Sequence, residues 1–263
     1  MNQSFFIGAV GAHQQLMRLT VHANNVANVN TYGFRAEKPR FAQLMYEDLK
    51  SVGTAEDGVG GRPDFDTLPS GVGGCLWTTS TNFKDAPIQE TQRDQDYAIV
   101  GDGFFAIADL TTGEISLTRN GAFVISELIR PTGEVDENDQ PITESVWYLS
   151  DNEGRFVLSK TGGMIEVDDE HEEQPVGVFD YINYNGMEHS NINRTDTRFM
   201  AVDKNGGIRM SDATLMRGHL EMSNADLADE ITKVIETQRA YQMALRMVQT
   251  SDEIESTINA LRS

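Results

Sequence analysis

The stretch ANNVANVNTYGFR, residues 23–35, decides how the chain leaves its first helix. It places four asparagines within seven positions and ends in Thr-Tyr-Gly-Phe-Arg. Asparagine tolerates the left-handed conformation and bonds nearby backbone, so Asn28 or Asn30 is suited to end the helix. Gly33 then allows the turn that directs the chain outward. Asn24 and Asn25 come too early for a capping role and need another explanation.

The residues before this stretch have the spacing of an amphipathic helix. Ser4 is suited to cap its start, and seven residues follow at alternating intervals of four and three, the heptad spacing of a coiled coil. They are Phe5, Ala9, Ala12, Leu16, Leu19, Ala23 and Val26. Three of the seven are alanine, so a partner helix can approach closely while burying little area. Such a helix is only marginally stable alone.

The C-terminal end has the same spacing. Ser223-Asn-Ala-Asp226 matches a capping box with Asp in the acidic position. The seam that follows is Leu227, Ile231, Val234, Gln238, Tyr241, Leu245 and Val248, after which the apolar positions move to Ile254, Ile258 and Leu261. The pattern predicts one long helix of about 36 residues. Each terminal helix either flanks its own domain or pairs with the other and with copies of itself, and two seams at opposite ends favour pairing.

Between the helices, short β-branched and aromatic runs are separated by Gly, Asn and Asp, the pattern of an antiparallel β domain. Examples are DYAIVGDGFFAIADL (96–110), GEISLTRNGAFVI (113–125), SVWYLSDNEGRFVLS (145–159) and QPVGVFDYINY (174–184). Residues 51–75 are rich in glycine and indicate an extended connector. We therefore predict an α+β fold. Terminal helices at 1–35 and 220–263 pair as a coiled-coil-like domain, 36–80 is the connector, and 81–219 is a mostly antiparallel β domain.

The chain is strongly acidic, with 41 Asp and Glu against 21 Lys and Arg and a formal charge of −20. Such a charge repels phosphates and anionic lipid surfaces, so we expect no nucleic-acid partner. No apolar run reaches the length of about 20 residues that a membrane helix needs, so we expect no membrane insertion. The N-terminus has no basic region followed by an apolar block and a cleavage site, so we expect no cleavable export signal.

Candidate catalytic and metal-binding motifs are weak. GDGFF at 101–105 precedes a strand rather than a helix, which favours a tight bend over a phosphate loop. The acidic run 166–173 lacks the ligand spacing of a calcium loop, and the five histidines have no metal-like spacing. His13 and His22 fall off the helical seam and indicate surface or subunit contacts. Cys75 has no base that the sequence identifies. We expect no catalytic residue, metal or cofactor, although a soluble enzyme or binding module using the acidic β domain stays open.

Three separated motifs resemble those of the bacterial flagellar rod and hook (axial) proteins. The first is ANNVANVNTYGFR, which matches at Asn24, Asn25, Ala27, Asn28, Thr31, Gly33, Phe34 and Arg35. The second is DYAIVGDGFFAI followed by TRNGAF, and the third runs from GHLEMSN through QRAY to the end of the last helix. VGVFDY adds a weaker match, Tyr32 and Ala225 depart from the usual residues, and the acidic segment 131–173 does not align. The motifs follow the family's order along nearly the whole chain, so it is identified as a member of this family.

The resemblance implies a non-enzymatic structural subunit of the flagellar basal-body rod, proximal or distal. In such proteins the paired terminal helices form the inner tube and the β domain packs outside. The subunits polymerise head to tail into the helical drive shaft that transmits torque. The implied partners are copies of this chain, other rod and hook proteins and the flagellar type III export apparatus, with the surrounding basal-body rings as further candidates. The implied location is the basal body, reached without a cleavable signal peptide.

From the seams and the resemblance together we predict three sets of residues. The subunit-packing residues of the axial helices are Phe5, Leu16, Leu19, Val26, Leu227, Ile231, Val234, Tyr241 and Leu245. The polar assembly contacts are Asn24, Asn25, Asn28, Gln238 and Arg239, with capping or helix solvation equally open for Asn28 and Gln238. Gly33 makes the turn.

Overall fold

A computed structural model describes residues 3–43, 47–48, 69–70, 74–135, 141–167, 175–184, 187–189 and 197–262. Most of the glycine-rich stretch 51–75 and of the acidic run 166–173 lies outside these residues. Two helices stand at the ends of the chain, α1 at Gln3–Ala27 and α2 at Leu227–Arg262. Helix α2 has 36 residues, as the seam predicts. Asp226, rather than Ser223, directly precedes it, so the helix begins one turn later than the predicted capping box.

Strands fill the chain between the helices. The first five are β1 (Glu37–Gln43), β2 (Glu47–Asp48), β3 (Pro69–Ser70), β4 (Gly74–Thr81) and β5 (Ile88–Glu90). The next six are β6 (Tyr97–Val100), β7 (Phe104–Ala108), β8 (Ile115–Thr118), β9 (Val124–Val135), β10 (Pro141–Ser150) and β11 (Phe156–Val157). The last six are β12 (Val178–Asp180), β13 (Glu188–His189), β14 (Arg198–Met200), β15 (Arg209–Met210), β16 (Thr214–Arg217) and β17 (His219–Glu221), with a short 3₁₀ helix at Asp203–Asn205.

The chain divides into two compact units. The first comprises Met1–Ala23, Glu37–Ser80 and Ala228–Ser263, and the second comprises Asn24–Ala36 and Thr81–Leu227. The second unit contains a nine-stranded sheet. Seven strands have the order β13-β14-β8-β7-β11-β10-β9, and β12 and β15 add a branch at β7. The same unit also contains two separate two-stranded sheets, β16-β6 and β17-β5. The strand pairs of this unit are antiparallel.

Strand β7 lies at the centre of this unit because both of its faces are buried. Phe105 and Ile107 belong to one hydrophobic cluster, and Phe104 and Ala106 belong to a second. Alternate residues of a strand point to opposite faces, so the run FFAI supplies both clusters at once. Gly101 and Gly103, just before β7, have φ of 111° and 136°. This confirms the bend predicted for GDGFF.

The two terminal helices and the central antiparallel sheet confirm the predicted α+β class. The predicted helical domain reached residue 35, whereas Asn24–Ala36 clusters with the β-rich unit. Strands β1 and β4 pair with one another within the range predicted as a connector. Neither α1 nor α2, the helices of the described chain, is long and apolar enough to cross a membrane.

The close approach at Gly121 gives a test of this core. A Cβ at Gly121 would overlap the carbonyl oxygen of Tyr97, whose amide donates to the Gly121 carbonyl at 3.1 Å. We expect Gly121→Ala to lower the free energy of unfolding by about 1–3 kcal/mol, the range of overpacked cores. Urea unfolding followed by near-UV circular dichroism measures this change. Gly163→Ala is the matched control because nothing lies within 4 Å of its added Cβ. Equal unfolding curves for the two variants would contradict the packing described.

Candidate functional site

The three sequence motifs meet in the β-rich unit at one place, which we call the motif junction. It consists of Gly33, Phe34 and Arg35 after α1, Arg119 and Asn120 after β8, and Glu221 to Asn224 after β17. Arg119 and Arg35 lie 102 and 186 residues before Glu221 in the sequence. Each of the three motifs that carry the resemblance therefore contributes residues to one structural feature.

Gly33 makes the turn that the sequence predicts. Its φ is 69°, a value that favours glycine, and its amide donates to the Glu221 carbonyl at 2.8 Å. A Cβ at this position would overlap the backbone of Arg119 and Asn120. Glycine is therefore required both by the turn and by the close approach of the segment after β8.

Glu221 is buried between two arginines. Its Oε1 accepts a hydrogen bond from Nη2 of Arg35 at 2.6 Å, and its Oε2 accepts one from Nη1 of Arg119 at 3.2 Å. The side chains of Arg35, Arg119 and Glu221 are 1%, 4% and 2% exposed. The arginines also donate to backbone carbonyls, Arg35 to Lys84 at 2.8 Å and Arg119 to Gly101 at 2.7 Å. The carboxylate thus joins segments 102 and 186 residues away from it in sequence.

The junction carries two cations for one anion. Burial lowers the pKa of the Arg35 guanidinium, the charge of Arg119 lowers it further, and the charge of Glu221 opposes both. Arg119 also lies over the ring of Phe104, with 5.5 Å from its Cζ to the ring centroid, a cation–π contact with the core strand β7. Glu221 is therefore the group that makes burial of the two arginines tolerable.

Asn224 completes the junction through its side-chain amide. Its Oδ1 accepts from the Ala36 amide at 2.7 Å, and its Nδ2 donates to the carbonyls of Asn82 at 2.6 Å and Lys84 at 3.0 Å. One side chain therefore satisfies three backbone groups on two segments. Arg35, Arg119, Glu221 and Asn224 lie within the quoted motifs, but no role is predicted for them from the sequence. The only signal there is that polar residues stand within motifs, because their burial and their partners are set by the fold.

Removing the charge of Glu221 tests the junction. Glu221→Gln keeps the shape but leaves two buried guanidinium groups uncompensated, so we expect the free energy of unfolding to fall by about 3–5 kcal/mol. Urea unfolding of the full chain measures the change. Glu127→Gln on β9, where the side chain is exposed, is the control and should change stability by no more than about 0.5 kcal/mol. A similar, small loss in both variants would show that the junction does not hold the unit together.

The buried and half-buried positions of α1 form a stripe that differs from the predicted seam. A stripe at intervals of four and three contains Gly8, Ala12 and His22, which are buried, and Gln15 and Leu19, which are half-buried. Val21 and Asn25 are also buried, beside this stripe. The predicted packing residues Phe5 and Leu16 are 37% and 44% exposed, whereas Leu19 and Val26 are half-buried. The stripe shares one column of the predicted seam, Ala12 and Leu19. The other column of the stripe consists of small or polar residues, namely Gly8, Gln15 and His22. Glycine permits close approach of the partner helix, and the polar side chains are able to form hydrogen bonds.

Helix α2 shows the same displacement. Its buried and half-buried stripe is Glu230, Val234, Thr237, Tyr241, Ala244, Val248 and Ser251, again at intervals of four and three. Val234 and Tyr241 belong to the predicted seam. Leu227, Ile231 and Leu245 are 46%, 44% and 38% exposed, and Gln238 and Arg239 are exposed as well. The large apolar residues predicted for packing therefore lie largely on the outer surface of this chain.

Two contacts between the stripes show that α1 and α2 run antiparallel. A Cβ built on Gly8 would lie 2.9 Å from Cγ2 of Val248, so these backbones approach closely. At the other end, Nδ1 of His22 lies 2.7 Å from Oε2 of Glu230. The prediction that His22 is a surface or subunit contact was wrong, because His22 is only 3% exposed and pairs within its own chain.

The asparagines of the opening stretch have different environments. Nδ2 of Asn28 donates to the carbonyl and to Oδ1 of Asn24, each at 3.0 Å, and Oδ1 of Asn28 accepts from Thr31 at 3.2 Å. These bonds are local and stabilise the end of α1. Asn24 and Asn28 are half-buried, whereas Asn25 is fully buried. Within the described chain, no group of three His, Cys, Asp or Glu side chains is placed to hold a metal ion.

Two family models match the ends of the chain. The model described as "Flagella basal body rod protein" matches residues 7–35, and the model described as "Flagellar basal body rod FlgEFG protein C-terminal" matches residues 216–261. Gly33 and Arg35 of the motif junction fall in the first match, and Glu221 and Asn224 fall in the second. The first and last segments of the junction therefore lie within the two matches, and Arg119 and Asn120 lie between them.

Full-length relatives carry the same description. The "Flagellar basal-body rod protein FlgG" of Bacillus subtilis (strain 168) is 30% identical over 268 residues, which cover 97% of each chain. The FlgG protein of Buchnera aphidicola subsp. Schizaphis graminum is 28% identical over 280 residues, covering 99% of this chain and all of the relative. The "Flagellar basal-body rod protein FlgF" of Caulobacter vibrioides is 27% identical over 266 residues, which cover 97% of this chain and 95% of the relative.

These descriptions name structural rod proteins, and the alternative of a soluble enzyme or binding module has no counterpart among them. The resemblance derived from the three motifs is confirmed. The chain belongs to the family of flagellar basal-body rod proteins.

Proposed function

We propose that this chain is a structural subunit of the flagellar basal-body rod, polymerising head to tail into the helical shaft that transmits torque. Beside family membership, the observation that carries the proposal is the exposure of large apolar side chains along both terminal helices. Exposed contiguous apolar surface marks an interaction site, because leaving it in water is unfavourable.

On α2 this exposed surface has two sides. With about 100° of rotation per residue, Ile231 and Leu245 lie within about 40° of one another on the helix. Met247 and Ile254 lie roughly opposite, and they are 56% and 50% exposed. A head-to-tail contact uses two different surfaces of each subunit and propagates as a helix when it does not close into a ring. The two apolar sides of α2 provide two different surfaces of the subunit for such a contact.

We further propose how the two helices pair and which of their side chains contact neighbouring copies. The α1–α2 pair forms a coiled-coil-like inner domain. Exposed residues of both helices, Phe5 and Leu16 on α1 and the column with Ile231 and Leu245 on α2, pack against the helices of neighbouring copies. The polar assembly contacts are made by the predicted residues that keep solvent-accessible side chains in the monomer. These are Asn24, Asn28, Gln238 and Arg239.

We also propose a location and partners for this subunit. The subunit lies in the flagellar basal body, next to copies of itself and other rod and hook proteins, with the surrounding rings outside. It reaches this position through the flagellar type III export apparatus. Support for these points comes from the family assignment and from the names of the relatives, one of which is a "Flagellar hook-basal body complex protein FlhP".

The outer apolar column gives a direct test. We expect Ile231→Asp to abolish assembly and motility, because a charge would be buried in the contact between copies. The melting temperature of the isolated chain should change little, since this side chain is 44% exposed in the monomer. Sedimentation of the purified protein, swimming in soft agar and thermal unfolding provide the three measurements.

Thr232→Asp is the matched control for Ile231→Asp. Thr232 is exposed and lies about 100° away around the helix, so the same charge enters outside the apolar column. We expect it to preserve assembly and motility. Loss of core stability in Ile231→Asp, or normal motility with that variant, would contradict the proposal.

Electron microscopy of basal bodies from a strain lacking this gene tests the assignment to the rod. We expect a truncated rod, and the length of the stub distinguishes a proximal subunit from a distal one. Basal bodies with a complete rod and hook would overturn the proposed function.

A further inference from the structure

We infer that the buried His22–Glu230 pair fixes the register in which α1 and α2 lie against each other. The inference concerns the isolated chain and goes beyond its proposed role in the rod. The two side chains are 4% and 7% exposed, and their closest atoms are 2.7 Å apart. Lys233, one turn further along α2, donates to the other carboxylate oxygen of Glu230 at 3.1 Å.

Apart from the close approach of Gly8 to Val248, the rest of the stripe repeats from one heptad to the next. Along α1 it offers Gly8, Ala12, Gln15 and Leu19, and along α2 its apolar members are Val234, Tyr241, Ala244 and Val248. These positions repeat every seven residues with small or adaptable side chains. A slip of one heptad therefore brings the apolar column of one helix onto the apolar column of the other again, so hydrophobic contact alone leaves several registers close in free energy.

The polar pair separates these registers. A slip of seven residues in one direction places Gln15, in place of His22, opposite Glu230. A slip in the other direction carries His22 to Thr237 and leaves Glu230 beyond the end of α1. In either case Glu230 keeps Lys233 on its own helix but loses the hydrogen bond between its Oε2 and the imidazole of His22, and His22 loses the partner of its Nδ1.

The pair provides specificity at a cost in stability. Nε2 of His22 has no hydrogen-bond partner among the residues that the structure describes, so the imidazole is buried with one nitrogen unsatisfied. An apolar pair would avoid this penalty but would not distinguish the registers. A slip of one heptad moves one helix by about 10 Å along the other, which would misalign the outer columns that each helix presents.

Disulfide trapping in the full chain tests the inference. In a Cys75→Ser background, Gly8→Cys/Val248→Cys reports the native register, whereas Gly8→Cys/Tyr241→Cys and Gly8→Cys/Glu255→Cys report slips of one heptad. A disulfide needs Cβ atoms about 3.5–4.5 Å apart, so each pair reports one register. We expect the native pair to form its cross-link at least about tenfold faster than either slipped pair, given the loss of the buried His22–Glu230 hydrogen bond in a slipped register.

The same reporters are then placed in His22→Leu/Glu230→Leu. We expect the preference for the native cross-link to fall by at least about tenfold, because the apolar pair no longer penalises a slip. Glu230→Gln, whose amide oxygen still accepts from His22, should keep most of the preference. His13→Leu/Glu236→Leu, at two exposed positions, is the matched control and should keep all of it.

Three results would overturn the inference. The first is an undiminished native preference in His22→Leu/Glu230→Leu. The second is loss of every cross-link in that variant with a decrease in helical circular dichroism, which would make the pair a stabilising contact rather than one that selects a register. The third is equal trapping of native and slipped registers in the chain with His22 and Glu230 intact.

Discussion

The carboxylate of Glu221, held between the guanidinium groups of Arg35 and Arg119, is the interaction on which the β-rich unit depends. Three charges lie almost completely out of water, and burial of the two arginines is tolerable because the carboxylate of Glu221 lies between them. The geometry around them follows from this constraint. Gly33 permits the close approach of the segments, and Asn224 satisfies the backbone groups that the approach buries.

The helices follow a different rule, because a heptad pattern specifies columns of residues but not which columns face inward. On both α1 and α2 the inward face combines one apolar column with one small or polar column. The larger apolar side chains remain outside. For a protein that folded only as a monomer this arrangement would waste hydrophobic burial, whereas for a subunit it leaves surface for other copies.

Local features were predictable from the sequence because they depend on neighbouring residues. The turn at Gly33, the bend at Gly101 and Gly103, the burial of FFAI and the length of α2 all follow from conformational preference and periodicity. The junction was not predictable in this way, since Arg119 and Arg35 lie 102 and 186 residues from Glu221 in the sequence. His22 was misassigned for a related reason, because a polar residue off the apolar seam is normally exposed, and only its pairing with Glu230 makes burial acceptable.

By itself the sequence determined the α+β class, two long terminal helices, a strand-rich middle and membership of the rod and hook family. These conclusions rest on short-range periodicity and on motifs, both of which are readable along the chain. Only the tertiary structure decided that one charged residue from each of the three motifs joins one buried cluster and that the small, polar column of each helix faces inward. Long-range electrostatic pairing and close backbone approach made those choices, and neither is encoded in the spacing of residues along one element.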